Sequence, residues 1–162
     1  MRVHHSAKQW AFLSLLALAV STGTVSTAGA QRAQVGIRAG GNFTTNDPLI
    51  GGHLVAPLGT QIDLYPSVDI YLPDRGSRES YSADLKANLP ISPSSVLYLG
   101  GGLNILHRSV ARTSRTDFGP DLFLGYEYRA GVVHPFVEER ILFHDTRSFQ
   151  LSGGLNFTLG GR

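Results

Sequence analysis

The chain has 162 residues, a formal net charge of +2 and no cysteine. The missing thiols exclude a disulfide framework, a thiolate metal centre and a lipid-anchored cysteine behind a leader, and so small a net charge argues against a nucleic-acid partner. Charged residues are 16% of the chain, against about 25% in ordinary soluble domains, which leaves little to cover a water-facing exterior.

The first element in the chain is a leader. Arg2 and Lys8 form a basic start, Trp10–Val20 is a mostly apolar run, and Ser21–Ala30 is a small-residue stretch ending in Ala28-Gly29-Ala30. This is the pattern of a secretion signal cleaved after Ala30, and the apolar run falls well short of the about 20 residues a spanning helix needs. Residues 31–162 then make one domain.

Beyond Ala30 no sustained helical period appears, and alternation with period two recurs in eight segments, each read as a strand. Strand one, Val35–Phe43, sets Val35, Ile37, Ala39, Gly41 and Phe43 opposite Gly36, Arg38, Gly40 and Asn42. Strand two, Ile50–Ala56, sets Ile50, Gly52 and Leu54 against Gly51, His53 and Val55. Strand three, Ile62–Leu72, sets Ile62, Leu64, Pro66, Val68 and Ile70 against Asp63, Tyr65, Ser67, Asp69 and Tyr71. Strand four, Tyr81–Ile91, alternates Ala83, Leu85, Ala87 and Leu89 with Ser82, Asp84, Lys86 and Asn88. Strand five, Val96–His107, alternates Leu97, Leu99, Leu103 and Ile105 with Tyr98, Gly100, Gly102 and Asn104. Strand six, Asp121–Tyr128, alternates Leu122, Leu124 and Tyr126 with Asp121, Phe123 and Glu127. Strand seven, His134–Phe143, is irregular: with Pro135, Val137, Ile141 and Phe143 on the apolar face, Glu139 goes with them, so either a bulge resets the phase or a carboxyl sits near an interface. Strand eight, Phe149–Leu159, alternates without exception, Phe149, Leu151, Gly153, Leu155 and Phe157 against Gln150, Ser152, Gly154 and Asn156.

The connections also alternate in character. Pro57–Gln61, Ser92–Ser95 and Arg129–Val133 are short, whereas Pro73–Ser80 and Arg108–Asp117 are longer and charged. An even-stranded barrel with both termini on one side collects the first kind at one rim and the second at the other, as short periplasmic turns and longer external loops. Alternation alone does not say which face meets water, because a soluble lipocalin-like barrel turns its apolar face inward. The polar faces are mostly Gly, Ser, Asn and Tyr with isolated charges, which suits a narrow filled lumen. Aromatic residues gather toward strand ends (Phe43, Tyr71, Tyr81, Tyr126, Tyr128, Phe143, Phe149, Phe157), as interfacial girdles require. The expected fold is therefore an all-β, eight-stranded, antiparallel up-and-down transmembrane β-barrel.

Several segments carry a family likeness: Val35–Phe43, Asp117-Phe118-Gly119 onward through Leu124–Arg129, Pro135–Glu138, and Ser152–Leu159. With them the chain resembles the small outer-membrane β-barrel family of diderm bacteria, the outer membrane protein A and X type barrels. The resemblance implies a monomer in the outer membrane, reached by secretion to the periplasm, in contact with outer-membrane lipid and lipopolysaccharide and inserted by the barrel-assembly machinery. Ser152, Gly154, Phe157 and Leu159 are similar to the family's assembly signal. The family usually ends on an aromatic residue, and here Gly160-Gly161-Arg162 follow.

On this reading the lumen holds Arg38, Asn42, His53, Asp63, Asp69, Asp84, Lys86, Glu127, Glu138, Arg140 and Asn156. An eight-stranded barrel is just wide enough for its own side chains, so these residues form a plugging network in which Arg38, Lys86 and Arg140 offset the carboxylates, with Asp69 expected near Lys86 or Asp84. A narrow ion or proton path is the sharper alternative. The external loop with Arg108, Arg112 and Arg115 offers guanidinium groups to phosphates such as those of lipopolysaccharide, the plainer reading being a solvated loop. His107-Arg108-Ser109 with Asp121 imitates the His-x-Ser pair and acid of lipid A deacylases, but the flanking residues differ and Asp121 falls on the inward face. No histidine pair has metal-ligand spacing, and Gly100–Gly102 and Gly153-Gly154 lie within strands, where they are bends or close-packing sites. The expectation is a non-catalytic barrel without cofactor or metal, in a structural or surface-interaction role. A soluble periplasmic lipocalin-like binder and a lipid A hydrolase are the alternatives.

Overall fold

The computed structural model describes residues 33–110 and 113–160; the leader Met1–Ala30 and Arg112 lie outside them. Eight strands, β1 (Gln34–Asn42), β2 (Asp47–Pro57), β3 (Ile62–Tyr71), β4 (Ser77–Ser92), β5 (Ser95–Val110), β6 (Thr113–Tyr128), β7 (Val133–Phe143) and β8 (Arg147–Thr158), follow one another around a closed antiparallel barrel. Closure is made by β1 and β8, paired from Gln34–Thr158 to Asn42–Gln150. Both ends of the described chain and the β2–β3, β4–β5 and β6–β7 turns share one rim, and the other turns share the far rim.

The side chains decide which face meets which medium. Outward-facing Leu103 is 70% exposed and Leu122 56%, whereas inward-facing Arg140 and Asp69 are each 2% exposed. The apolar face of every strand is therefore the outer one, the reverse of a lipocalin. Phe43, Tyr81, Phe118, Phe143 and Phe149 ring the outside near the far rim, and Tyr126, Tyr128 and Phe157 do so near the termini. Tyr71 departs from the expected girdle: it points inward and is buried under the Arg78 guanidinium, 4.3 Å from its ring centroid.

The structure decides one open alternative and corrects the reading of the long loops. The strand-seven irregularity is no bulge, since β7 keeps one register against β6 and β8, and Glu139 simply faces outward. The long external loops are instead mostly strand: β4 begins at Ser77, and β5 and β6 pair out to Val110–Thr113. The chain turns between β3 and β4 through Gly76, whose φ of 81° suits glycine. On β6 Thr113, Ser114, Arg115 and Thr116 are exposed one after another, so the hairpin carries no hydrophobic alternation to read. Prolines mark where ladders stop. The β6–β7 ladder runs only between Asp121–Leu142 and Glu127–Phe136, just inside Pro120 and Pro135, and the β2–β3 ladder is interrupted beside Pro66.

Inward glycines make room for large lumen side chains. A Cβ on Gly36 would run into the His53 ring, on Gly125 into Tyr98, and on Gly154 into Phe136 and the Ile37 carbonyl. Gly153, its outward neighbour, has 3.5 Å of clearance from the Phe136 carbonyl. Gly154→Val is therefore expected to lose the heat-modifiable folded band in detergent, at a cost of about 3 kcal/mol or more, while Gly153→Val keeps it. Equal tolerance of the two would contradict the register.

Candidate functional site

The chemistry-bearing side chains of the described residues converge in the lumen, because each strand sends alternate residues there. At its centre Arg38 of β1 donates from Nε and Nη2 to both oxygens of Asp69 on β3, at 2.7 and 2.8 Å, and from Nη1 to Glu138 Oε1 at 3.0 Å. Arg140, two residues along β7 from Glu138, donates from Nη2 to the same Oε1 at 3.2 Å, and from Nη1 to Asp84 Oδ2 of β4 at 2.7 Å and to Asp121 Oδ2 of β6. Glu138 Oε2 accepts from the Tyr65 and Tyr98 hydroxyls at 3.0 and 3.3 Å. Asp69 is thus held by Arg38, not beside Lys86 or Asp84 as its strand position suggested. Cross-strand pairing places Asp69 opposite Ser80, and Lys86 opposite Asp63.

A second group lies toward the termini. Lys86 Nζ sits 3.9 Å from the Tyr98 ring centroid and donates to Glu127 Oε2 at 3.1 Å, which also accepts from Arg129 at 3.0 Å. His134 Nδ1 is 3.3 Å from Glu127 Oε1. Asn88 Nδ2 donates to Asp63 Oδ2 at 2.7 Å. Toward the far rim Leu49, Tyr71 and Leu106 pack together, essentially inaccessible, among buried Arg78, Ser80 and Gln150. Arg38, Asp69, Asp84, Lys86, Glu127, Glu138 and Arg140 thus all line the interior. Sequence parity did not show the tyrosine hydroxyls on Glu138 or the placement of Lys86 over Tyr98, which depend on contacts across the barrel.

Charge in this interior is unequal. Among the described residues the buried carboxyl groups Asp63, Asp69, Asp84, Asp117, Asp121, Glu127 and Glu138 outnumber the buried cations Arg38, Arg78, Lys86 and Arg140. The excess is plainest where Asp84 and Asp121 meet at one guanidinium nitrogen, each with its Oδ1 left without a partner. Removing the cation strands Asp84 and Asp121, while Glu138 keeps Arg38, so Arg140→Ala is expected to destabilise by about 3–5 kcal/mol. Asp84→Asn relieves crowding and should cost about 1 kcal/mol or less. Urea unfolding in detergent micelles measures both, and an Asp84→Asn loss as large as that of Arg140→Ala would refute the crowded-pair account.

Other candidate residues fare differently. Arg108 and Arg115 belong to the β5–β6 hairpin and turn toward the barrel mouth. Arg108 Nη2 lies 3.6 Å from Asp117 Oδ2, and Arg115 Nε donates to Asp117 Oδ1 at 2.6 Å and pairs with Asp145. Their charges are largely answered within the chain. Nearby in the β7–β8 turn, burial and then the Arg108 guanidinium hold the His144 imidazole below its ordinary range. His107 and Ser109 face outward, while Asp121 is across the wall in the lumen, so the barrel does not assemble them into a triad. His107 Nδ1 instead lies 2.9 Å from Thr116 Oγ1. In β8, Ser152 and Gly154 face the lumen, and Phe157 faces out with Leu159 exposed just beyond the strand.

The N-terminal β-barrel domain of Pseudomonas aeruginosa OprF matches with a TM-score of 0.71 at 14% identity, over 82% of this chain and 100% of that one. The fold is that of the small outer-membrane β-barrels. A barrel from the de novo design of transmembrane β-barrels matches at 0.62 and 14% identity, over 82% and 98% of the two chains. The outer membrane enzyme PagL matches at 0.56 and 9% identity, over 78% and 99%. No protein-family model matches the chain, and no curated protein matches it in sequence. One architecture here serves a designed barrel and an enzyme, so function must be argued from side chains.

Those side chains fill the interior: Arg140, Tyr65, Tyr71, Tyr98, Lys86, Leu49 and Leu106 are all essentially inaccessible. In planar bilayers the protein is expected to give no resolvable unitary current. A steady open channel would overturn the filled-lumen description.

Proposed function

We propose that the protein is an integral outer-membrane β-barrel with a non-catalytic role in the envelope, structural or in surface interaction. It is exported by the leader Met1–Ala30, cleaved after Ala30, and inserted as a monomer by the barrel-assembly machinery through Ser152, Gly154, Phe157 and Leu159. One observation carries the reading: the wall is apolar outside and charged inside, with aromatic residues ringing both edges of the apolar band. Water on the outside would leave this exterior unpaid for by any buried apolar core, whereas hydrocarbon suits it, and a closed barrel presents no open strand edge there. Outer-membrane lipid, lipopolysaccharide included, is the partner this exterior fits. The polar β5–β6 hairpin, standing beyond the band, is the part that reaches surface partners.

Fractionation tests the proposal. The mature chain is expected in the outer-membrane fraction, needing detergent for extraction, with a folded form that migrates differently before and after boiling. A chain that stays folded and dispersed in plain buffer, free of amphiphile, would end it.

A further inference from the structure

Two exceptions to a bulky apolar exterior adjoin one another. Glu139 of β7 faces outward, opposite Leu124 of β6 and Leu151 of β8, between Val137 and Ile141 on its own strand. It stands four residues before Phe143 of the far girdle and six after Val133 at the other rim. At about 2.5 Å of rise along the membrane normal per tilted residue, the Glu139 backbone is about 10 Å inside the girdle. That depth exceeds what a glutamate side chain spans. A charged group on the lipid face is costly, and an ionisable group at such depth is by default a functional one.

Beside it the outer wall is hollowed. A groove of about 550 Å³ crosses β8, β1, β2 and β3, lined by Ile37, Ala39, Ile50, Gly52, Gly153 and Leu155 among others. Gly153 lies opposite Val137, one diagonal step from Glu139. The barrel itself does not require these outward glycines: a Cβ on Gly52 or Gly153 would stand 3.5 Å from the nearest atom, a backbone carbonyl oxygen and an ordinary contact. The hollow therefore serves nothing inside the wall.

We propose that this face seats a membrane-embedded segment of another protein, packed into the groove and carrying a Lys or Arg that pairs with Glu139. The inference rests on the membrane reading above. Charge complementarity at that depth selects the occupant. A lipid headgroup stays at the interface, about 10 Å from the Glu139 backbone and beyond its side chain's reach, so an acyl chain alone fills the groove without answering Glu139. A second copy offers no cation there either. Among the described residues the outward-facing basic strand residues are His107 of β5 and Arg147 of β8, both toward the far rim and away from the depth of Glu139. Small residues permit close backbone approach in a bilayer, and polar pairs between segments add to it.

The test uses the mature barrel in phosphatidylcholine vesicles and a synthetic helix of about 20 Leu and Ala residues, enough to span, with either Lys or Leu at its centre. The chain has no cysteine, so Thr146→Cys in the β7–β8 turn gives a single site for an acceptor dye, and energy transfer from a labelled helix reads association. The Lys helix is expected to associate about tenfold more strongly than the Leu helix. Glu139→Gln should abolish that preference, and Gly153→Leu, which fills the groove with the carboxyl intact, should weaken Lys-helix binding by a similar factor. Equal association of the two helices, or a preference that survives Glu139→Gln, would overturn the proposal. Heat-modifiable migration of each variant reports insertion separately. A barrel that fails to insert sinks the membrane reading and this inference together, whereas one that inserts without a preference sinks the inference alone.

Discussion

Everything in this barrel depends on the ladder between β1 and β8. Once those strands pair, every strand has a neighbour on each side and the sheet has no open edge. With the hydrogen bonds internal, the outer side chains are free to be Leu, Ile and Val. The polar alternates have nowhere to go but the interior, so one covalent pattern yields two environments.

The interior must then solve a packing and a charge problem in the same narrow space. It does so by setting glycine against bulk: Gly36 beneath His53, Gly125 beneath Tyr98, Gly154 beneath Phe136. The aromatic residues that gain this room are also the ones that steady the ions, with Tyr65 and Tyr98 donating to Glu138 and Tyr98 lying under Lys86. Polar satisfaction is good around Arg38 and incomplete around Asp84 and Asp121, so the stability of the network is unevenly spread.

Much of this was legible in the sequence, and what was not has physical causes. Period two placed Arg38, Lys86, Glu138 and Arg140 on the inner face, because parity along a strand is a local property. Pairing partners are not local: Arg38 finds Asp69 two strands away, and strand position alone misassigned that carboxylate. The β5–β6 hairpin read as a loop because Ser109, Ser114 and Thr116 put polar side chains on its outer face, where apolar ones would have marked a strand. The Glu139 irregularity left a bulge and an outward carboxyl both open, because parity alone does not distinguish them, and the unbroken register decides for the outward carboxyl.

The ladders are not equally long, and the prolines show where they are short. β4–β5 and β5–β6 run for 15 and 16 residue pairs, whereas β2–β3, interrupted beside Pro66, and β6–β7, stopped inside Pro120 and Pro135, have seven each. The cylinder is thus two stiff panels, β3 to β6 and β7 through β2, meeting along two thin seams. Arg38 to Asp69, Arg140 to Asp84 and Asp121, and Glu138 to Tyr65 and Tyr98 all reach from one panel to the other. The buried charges act as cross-bolts, tying together halves that their shared hydrogen bonds hold only lightly.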